Sequence, residues 1–189
     1  LFGLMMHVQL RKGVWYPMGG MGAIPRAITK RFTELGGTIA CNEQVTAVER
    51  NGSAISAVKT ASGHTYKADE FIFNSDVNTL RTTVLGEPPL PRPLACSGVV
   101  IFAGVKRRVE RLAHHNFFFS KDSEAEFASI YDAGLPPADH TAYVCAGTKT
   151  DADFAPEGGE SIYFLIHTPA LNGKTDWKSF IEPYRDVIY

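Results

Sequence analysis

Three sets of residues in this sequence could carry chemistry: a glycine-rich run, a histidine pair, and a scatter of acids, serines and thiols. The run is Gly13-Val14-Trp15-Tyr16-Pro17-Met18-Gly19-Gly20-Met21-Gly22, with Pro25 close behind it. Glycines ahead of a helix can cradle phosphate, because backbone N–H groups approach closely and a helix N-terminus favours an anion. A dinucleotide fingerprint, however, follows a buried strand directly and has an acid about 20 residues further on. Trp15-Tyr16-Pro17-Met18 does not read as a parallel core strand. On spacing alone, these glycines do no more than let a loop turn tightly.

His114-His115 could ligate a metal, but neighbours on a strand point to opposite faces and no further ligand is signalled nearby. They read as surface or loop histidines. Asp151, Asp153, Glu157 and Glu160 surround Phe154-Ala155-Pro156 without the spacing of a calcium loop, and read as a solvated turn. Ser120, Ser123 and Ser161 lack the Gly-x-Ser-x-Gly elbow of serine hydrolases. Cys41, Cys96 and Cys145 are odd in number and form no Cys-x-x-Cys pair. They read as reduced, buried thiols of an intracellular protein, not a disulfide framework or a zinc site.

The elements that must position these residues fall into two stretches. Ile24, Ala27, Ile28, Phe32 and Leu35 recur at helical spacing, with Pro25 in the first turn and Gly36-Gly37 as the stop. Thr38–Cys41, Gln44–Arg50, Ile55–Thr60 and Thr65–Lys67 are strand-like, and Asn51-Gly52 and Ser62-Gly63 mark tight turns. Glu70–Asn74 reads as a buried strand, after which Ser75 or Asp76 caps a helix over Val77–Leu85. Glu87 to Pro93 holds four prolines in seven residues and marks a boundary. Beyond it, Ser97–Val105, Phe117–Phe119, Ala142–Gly147 and Ser161–His167 read as strands and Ser120–Tyr131 as a helix, with Asp176 capping another. The fold class is α+β / α/β, the second part being a sheet with helices on one side.

The chain has 189 residues, 44% hydrophobic and 21% charged, with net charge −1. That suffices for one good core or two small ones, and gives no electrostatic reason to expect nucleic acid. No apolar run reaches the roughly 18 residues of a membrane span, and no secretory leader pattern opens the chain. Leu1–Met6 begins inside a helical run, and the stripe Trp177, Phe180, Ile181, Tyr184, Val187, Ile188, interrupted by Pro183, stops without a signal. An internal piece of a longer protein is expected. Phe102, Phe117, Phe118, Phe119, Phe127, Tyr131, Tyr143, Tyr163, Phe164 and Trp177 crowd the second half. Such a set most often forms core, and can also line a channel for a long apolar ligand.

Taken together the motifs resemble the bacterial-type phytoene desaturases, FAD-dependent carotenoid desaturases and isomerases related to the amine-oxidase flavoproteins. The match rests on the run from Gly13 to Ala23, Glu34-Leu35-Gly36-Gly37, Asn42-Glu43-Gln44-Val45 and Asn74-Ser75-Asp76-Val77. Arg111-Leu112-Ala113-His114-His115-Asn116 and Phe154-Ala155-Pro156-Glu157-Gly158 resemble the family's substrate-domain signatures. The series runs in order from about Gly13 to Trp177. It implies the middle segment of an FAD-binding, Rossmann-like domain of amine-oxidase type at 18–80. A mixed sheet-and-helix substrate domain would take 1–17, with the aromatic loop, and 81–189.

Cofactor-contacting positions implied by the resemblance are Val45, through its backbone at the adenosine end, then Ser75 and Asp76 at the end of a core strand, and Gly19 and Gly20. No catalytic proton acceptor and no metal ligand is implied. The family's N-terminal dinucleotide fingerprint and C-terminal glycine-rich motif do not occur in the sequence. FAD is therefore expected in the full-length parent, without tight binding by this chain alone. The expected activity is removal of hydrogen from C–C bonds of a long apolar carotenoid by a cytoplasmic enzyme peripheral to the membrane, with Trp177–Tyr189 as a membrane-contact candidate. The alternatives are a flavin-dependent carotenoid isomerase or oxygenase, another lipid oxidoreductase, or a non-catalytic lipid-binding or interaction module.

Overall fold

The structure is a computed structural model that describes residues 2–181. Tyr184, Val187, Ile188 and Pro183 of the expected stripe lie outside the described residues. The chain forms two compact units, one from Leu1–Ala27 with Leu94–Tyr189 and the other Ile28–Pro93. Helix α1 (Phe2–Lys12) leads into the aromatic loop, and α2 (Ala23–Glu34) follows it. The end of α2 is a paired glycine cap. Gly37 N–H donates to Phe32 O and Gly36 N–H to Thr33 O, with Gly36 at φ +88°. These bonds satisfy carbonyls that the helix end would leave bare.

Within residues 28–93, β1 (Val45–Asn51), β2 (Ala54–Thr60) and β3 (Thr65–Lys67) make the expected antiparallel meander, in that order. Gly52 and Gly63 turn it at φ +62° and +90°, conformations that cost a residue with a Cβ. Its buried side chains are few: Ala57, Val58 and Thr60. Asp76 caps α3 (Val77–Thr79) by accepting the Thr79 N–H at 2.8 Å, and the helix widens into a π turn over Leu80–Val84. The proline-rich stretch is tied back by Asn78, which accepts from Leu90 N–H at 2.7 Å. Two expected strands do not form. Thr38–Cys41 and Glu70–Asn74 are irregular, and Ile72 is 95% exposed. A strand needs a neighbour for its N–H and C=O groups, and among the described residues neither segment has one.

In the other unit, β4 (Ser97–Val105), β5 (His115–Phe118), β6 (Ala142–Ala146) and β7 (Glu160–Thr168) form an antiparallel sheet ordered β4-β7-β6-β5. All four lie within two residues of their expected bounds. β-Branched and aromatic residues dominate them, and Pro169, lacking an N–H, ends β7. Asp122 caps α4 (Ser123–Ala128) by accepting Ala125 N–H at 2.9 Å. The helix widens over Ser129–Ala133 and stops at Gly134, φ +65°. Strand alternation splits the sheet into two faces. Ala103, Ile162 and Ala146 lie opposite one another across three strands, and Val144 and Ile166 share their face. All five are buried and form the core. Burying a branched side chain such as the fully enclosed Ile166 contributes about 1.5–3 kcal/mol. The core is therefore aliphatic. Phe102, Phe117, Phe118, Phe119, Phe127 and Tyr131, most simply expected as core, are exposed instead.

Candidate functional site

The other face of the same sheet takes most of the strand aromatics, Phe118 and Phe164 alone lying on the core face. Register places Phe102, Tyr163, Cys145 and His115 on one line across all four strands. The next line is Val100, Leu165, Tyr143 and Phe117. Rings meet along and between these lines, Phe102 with Tyr163 at 5.2 Å between centroids, Phe117 with Tyr143 at 5.1 Å and Tyr143 with Tyr163 at 6.0 Å. Such pairs add about 0.5–1.5 kcal/mol beyond the area they bury. Over the first line lies a cavity of about 420 Å³, also lined by Tyr16, Met21 and Phe154. A second cavity, about 260 Å³, is lined by Phe117, Phe119, Phe127, Ile130, Tyr131 and His167. The Phe117–Tyr143 pair stands between them.

The aromatic-glycine loop forms part of the cavity wall. Gly19 N–H donates to Asp151 Oδ2 at 2.8 Å and Gly20 N–H to Pro17 O at 3.0 Å. Both glycines have positive φ, and a Cβ on Gly20 would lie 2.7 Å from the Phe154 ring. The backbone donors of Gly19 and Gly20 are thus already engaged, one of them by a carboxylate, the opposite of a phosphate cradle. The Tyr16 hydroxyl stands 3.5 Å from the same Asp151 oxygen, and burial followed by that carboxylate raises its pKa.

The acids expected in a solvated turn are split. Asp151 is 4% exposed and Glu160 1%. Glu160 accepts from Val109 N–H, from Thr148 Oγ1 at 3.0 Å, and pairs with Lys149 Nζ at 3.3 Å. Burial alone would raise the Glu160 carboxyl, and these donors outweigh it and lower it.

His114 and His115 are surface and loop residues as expected, but they do not diverge. His114 sits in a bend before β5, its carbonyl accepting from Ala146 N–H at 2.9 Å. Strand alternation therefore does not reach it, and the two rings lie 4.3 Å apart. His114 Nδ1 is 2.5 Å from Thr150 Oγ1, and His115 Nδ1 is 2.7 Å from the Tyr143 hydroxyl. Burial and then the His115 charge lower the His114 pKa. Burial first, then Cys145 and Tyr163, push the Tyr143 hydroxyl up to about 12, so it remains a donor at physiological pH. The thiols are free: Cys41 is exposed, and Cys96 and Cys145 are partly exposed, not buried.

Residues 28–93 hold a separate pocket of about 380 Å³. It is lined by Gln44, Val45, Asn74, Ser75, Thr79 and Thr83, among others, and so brings Val45 and Ser75 together. Asp76 spends its carboxylate on the α3 cap, and its pKa is lowered by the Thr79 hydrogen bonds. Motif reading does not single out Asp151, Tyr16 or Cys145 as site residues, and reaches Tyr143 only within the aromatic set that could line a channel. The alternation of β6, which places Tyr143 and Cys145 on one face, was the available signal for two of them.

A sheet with one aliphatic core face and one aromatic, ligand-sized face, plus a meander carrying its own pocket, describes a mixed α/β chain with two antiparallel sheets. Residues 1–132 match the family of flavin containing amine oxidoreductases, and the chain belongs to that family. A zeta-carotene-forming phytoene desaturase of Myxococcus xanthus is 31% identical over 186 residues, covering 94% of this chain and 35% of that protein. A 4,4'-diapolycopene oxygenase of a Methylomonas species is 33% identical over 178 residues, 91% of this chain and 36% of its own length. A carotenoid 3,4-desaturase of Haloarcula japonica is 29% identical across 100% of this chain and 39% of its own. The resemblance carried by the glycine run and the segments after it is borne out. The chain spans 35% to 39% of the length of these relatives.

Proposed function

We propose that the whole protein to which this chain belongs is an FAD-dependent carotenoid desaturase, removing hydrogen from C–C bonds of a long polyene. The observation that carries this is the aromatic sheet face, whose two cavities of about 420 and 260 Å³ follow one another across the Phe117–Tyr143 pair. A polyene offers only π-surface and methyl groups, and such a wall matches both. The relatives named as phytoene desaturase and carotenoid 3,4-desaturase support the same substrate class.

FAD, when bound, accepts the hydride equivalent. This chain's residues would meet its adenosine end. The pocket beside Val45 and Ser75, about 380 Å³, has room for a nucleoside-sized group, with the Val45 backbone and the Asp76-capped helix start at its edge. That assignment makes residues 18–80 the middle segment of a Rossmann-like FAD domain, and 1–17 with 81–189 the substrate domain. Within residues 28–93 no glycine-rich turn opens a helix beside that pocket, so the pyrophosphate is not assigned to them. Gly19 and Gly20 instead hold the loop that carries Tyr16 and Met21 against the polyene cavity, Gly19 through Asp151 and Gly20 by its close approach to Phe154.

Because the substrate dissolves in lipid, the enzyme is placed at the cytoplasmic surface of a membrane. No helix among the described residues is long and apolar enough to cross one. Of the contact candidate at Trp177–Tyr189, the last eight residues lie outside the described structure.

A second reading, oxygenation of a carotenoid, is favoured by the 33% identity to a protein named 4,4'-diapolycopene oxygenase. The deciding experiment is expression of the whole gene in cells that accumulate phytoene, with pigments separated and weighed by mass spectrometry. Desaturation removes hydrogen and moves absorption to longer wavelength. A product that gains oxygen supports the second reading. An isomer of unchanged mass, or unreacted phytoene together with the unreacted later carotenoids, overturns the desaturase assignment.

A further inference from the structure

The convergence of His114, His115 and Cys145 is not needed by a polyene. Cys145 lies opposite His115 in the β5–β6 register, and the bend at His114 swings its ring to the same side. One ring nitrogen from each histidine and the Cys145 Sγ all lie within 4.8 Å of one another. Tetrahedral zinc, with nitrogen at about 2.0–2.1 Å and sulfur at about 2.3 Å, spaces its ligands about 3.3–3.7 Å apart. Small side-chain rotations, closing about one ångström, therefore complete the geometry.

The surroundings suit a ligand set. Each histidine has its Nδ1 against a hydroxyl, Thr150 for His114 and Tyr143 for His115. With Nδ1–H donating to the hydroxyl oxygen, each Nε2 keeps its lone pair for a metal. Metal-bound histidines use this arrangement, the outer partner fixing ring and tautomer. Two imidazoles and a thiolate are soft donors, which disfavours magnesium and calcium and selects a transition-metal ion.

We propose that His114, His115 and Cys145 form a binding site for a divalent transition-metal ion of the zinc type, its fourth position open toward the cavity under Tyr16. Cys145 ligates as the thiolate and its proton passes to solvent. The ion clips the start of β5 to β6 from the cavity side. The site stands independently of the polyene assignment, because its three ligands bind a cation whether or not a carotenoid enters.

The test uses the intact protein, stripped with a chelator and titrated with zinc by calorimetry and with cobalt by absorption spectroscopy. One equivalent of each is expected, the cobalt form showing tetrahedral d–d bands and a thiolate charge-transfer band. Cys145→Ser abolishes the charge-transfer band, and Cys96→Ser leaves it. Thr150→Val weakens zinc binding about 10–100-fold, as expected for loss of an outer partner. Failure to bind either metal stoichiometrically overturns the proposal. So does a charge-transfer band that survives Cys145→Ser and disappears with Cys41→Ser or Cys96→Ser. If Cys145→Ser does not fold, the wild-type cobalt spectrum still decides, because a site without thiolate lacks the band. None of these readouts depends on desaturase activity.

Discussion

The sheet of β4 to β7 and the meander of β1 to β3 are both antiparallel, and they are stabilised differently. The four-stranded sheet buries five aliphatic side chains on one face, and the acids Glu126, Asp151 and Glu160 are enclosed beside it, each meeting N–H or O–H donors. The meander buries two apolar side chains, Ala57 and Val58. Its ion pairs, Lys59 with Glu49 and Glu87 with Arg50 and Arg81, are open to water. Exposed pairs contribute little, whereas an enclosed carboxylate must keep every donor it has. The difference teaches that alternating hydrophobicity sets strand pairing, and that the number of partnered strands sets how much of it becomes core. A rigid sheet of the first kind can carry a cavity on its free face. A meander of the second kind leaves apolar groups such as Ile72 uncovered.

The largest test of this contrast is Glu160. Its carboxylate is fully enclosed and holds Val109, Thr148 and Lys149 together beside the cavity loop. Glu160→Ala leaves three donors unpaired and is expected to cost about 3–5 kcal/mol, the range for breaking a buried pair from one side. Glu160→Gln keeps the shape and part of the hydrogen bonding, and should cost about 1–3 kcal/mol. Urea denaturation followed by circular dichroism measures both. A loss below about 1 kcal/mol for the alanine variant, within the range of an exposed pair, would erase the distinction between the units.

A smaller effect is expected at Gly20. Its φ of +75° disfavours any side chain, and a Cβ would press on Phe154 at 2.7 Å. Gly20→Ala should cost about 1–3 kcal/mol and displace Phe154 from the cavity wall. Gly19 has a φ of +83° but only the flexible Arg26 within reach, 3.6 Å away. Gly19→Ala should therefore cost less, and equal losses in thermal melts would show that the contact with Phe154 contributes nothing.

The sequence made the pairing legible and left the enclosure hidden. Strands β1 to β7 follow from β-branched and aromatic alternation between turn residues such as Asn51-Gly52, and those signals are local. Thr38–Cys41 and Glu70–Asn74 carry the same composition, but a strand exists only against a partner, and that information is not local. Asp151 looked solvated because its partner, Gly19, lies 132 positions away. The same distance hid the role of the glycine run, whose Gly19 N–H faces a carboxylate. Strand alternation does not extend to His114, which lies in a bend, so its ring meets that of His115 although both residues stay in the surface or loop setting their types suggest. Tyr143 and Cys145 could have been placed on one face from β6 alone, but their meeting with His115 needs the register of β5 on β6.

The finest distinction between the units concerns Glu43, the best-held carboxylate of the meander side. It accepts from Ser62 at 2.5 Å and stands 2.9 Å from His64 Nδ1. The Ser62 hydrogen bond first, then Thr60 and His64, lower its pKa to about 2. A carboxylate whose folded pKa lies below its unfolded value near 4.5 stabilises the fold above that value. The contribution fades as pH falls from about 4.5 to about 2, because the unfolded state takes up the proton first. Hydrogen exchange at the β2 and β3 amides, read by mass spectrometry across this window, should therefore show the turn at Ser62-Gly63 opening earlier than β6 and β7. Exchange at each pH is corrected for its intrinsic rate. Glu43→Gln removes the titration while keeping an acceptor, so its β2–β3 protection should be lower above pH 5 and flatter below it. The same steep acid loss in both proteins would mean that Glu43 does not hold the turn. The acid sensitivity of the meander would then belong to Glu49 and Asp76, the other carboxylates of that unit whose pKa values are lowered.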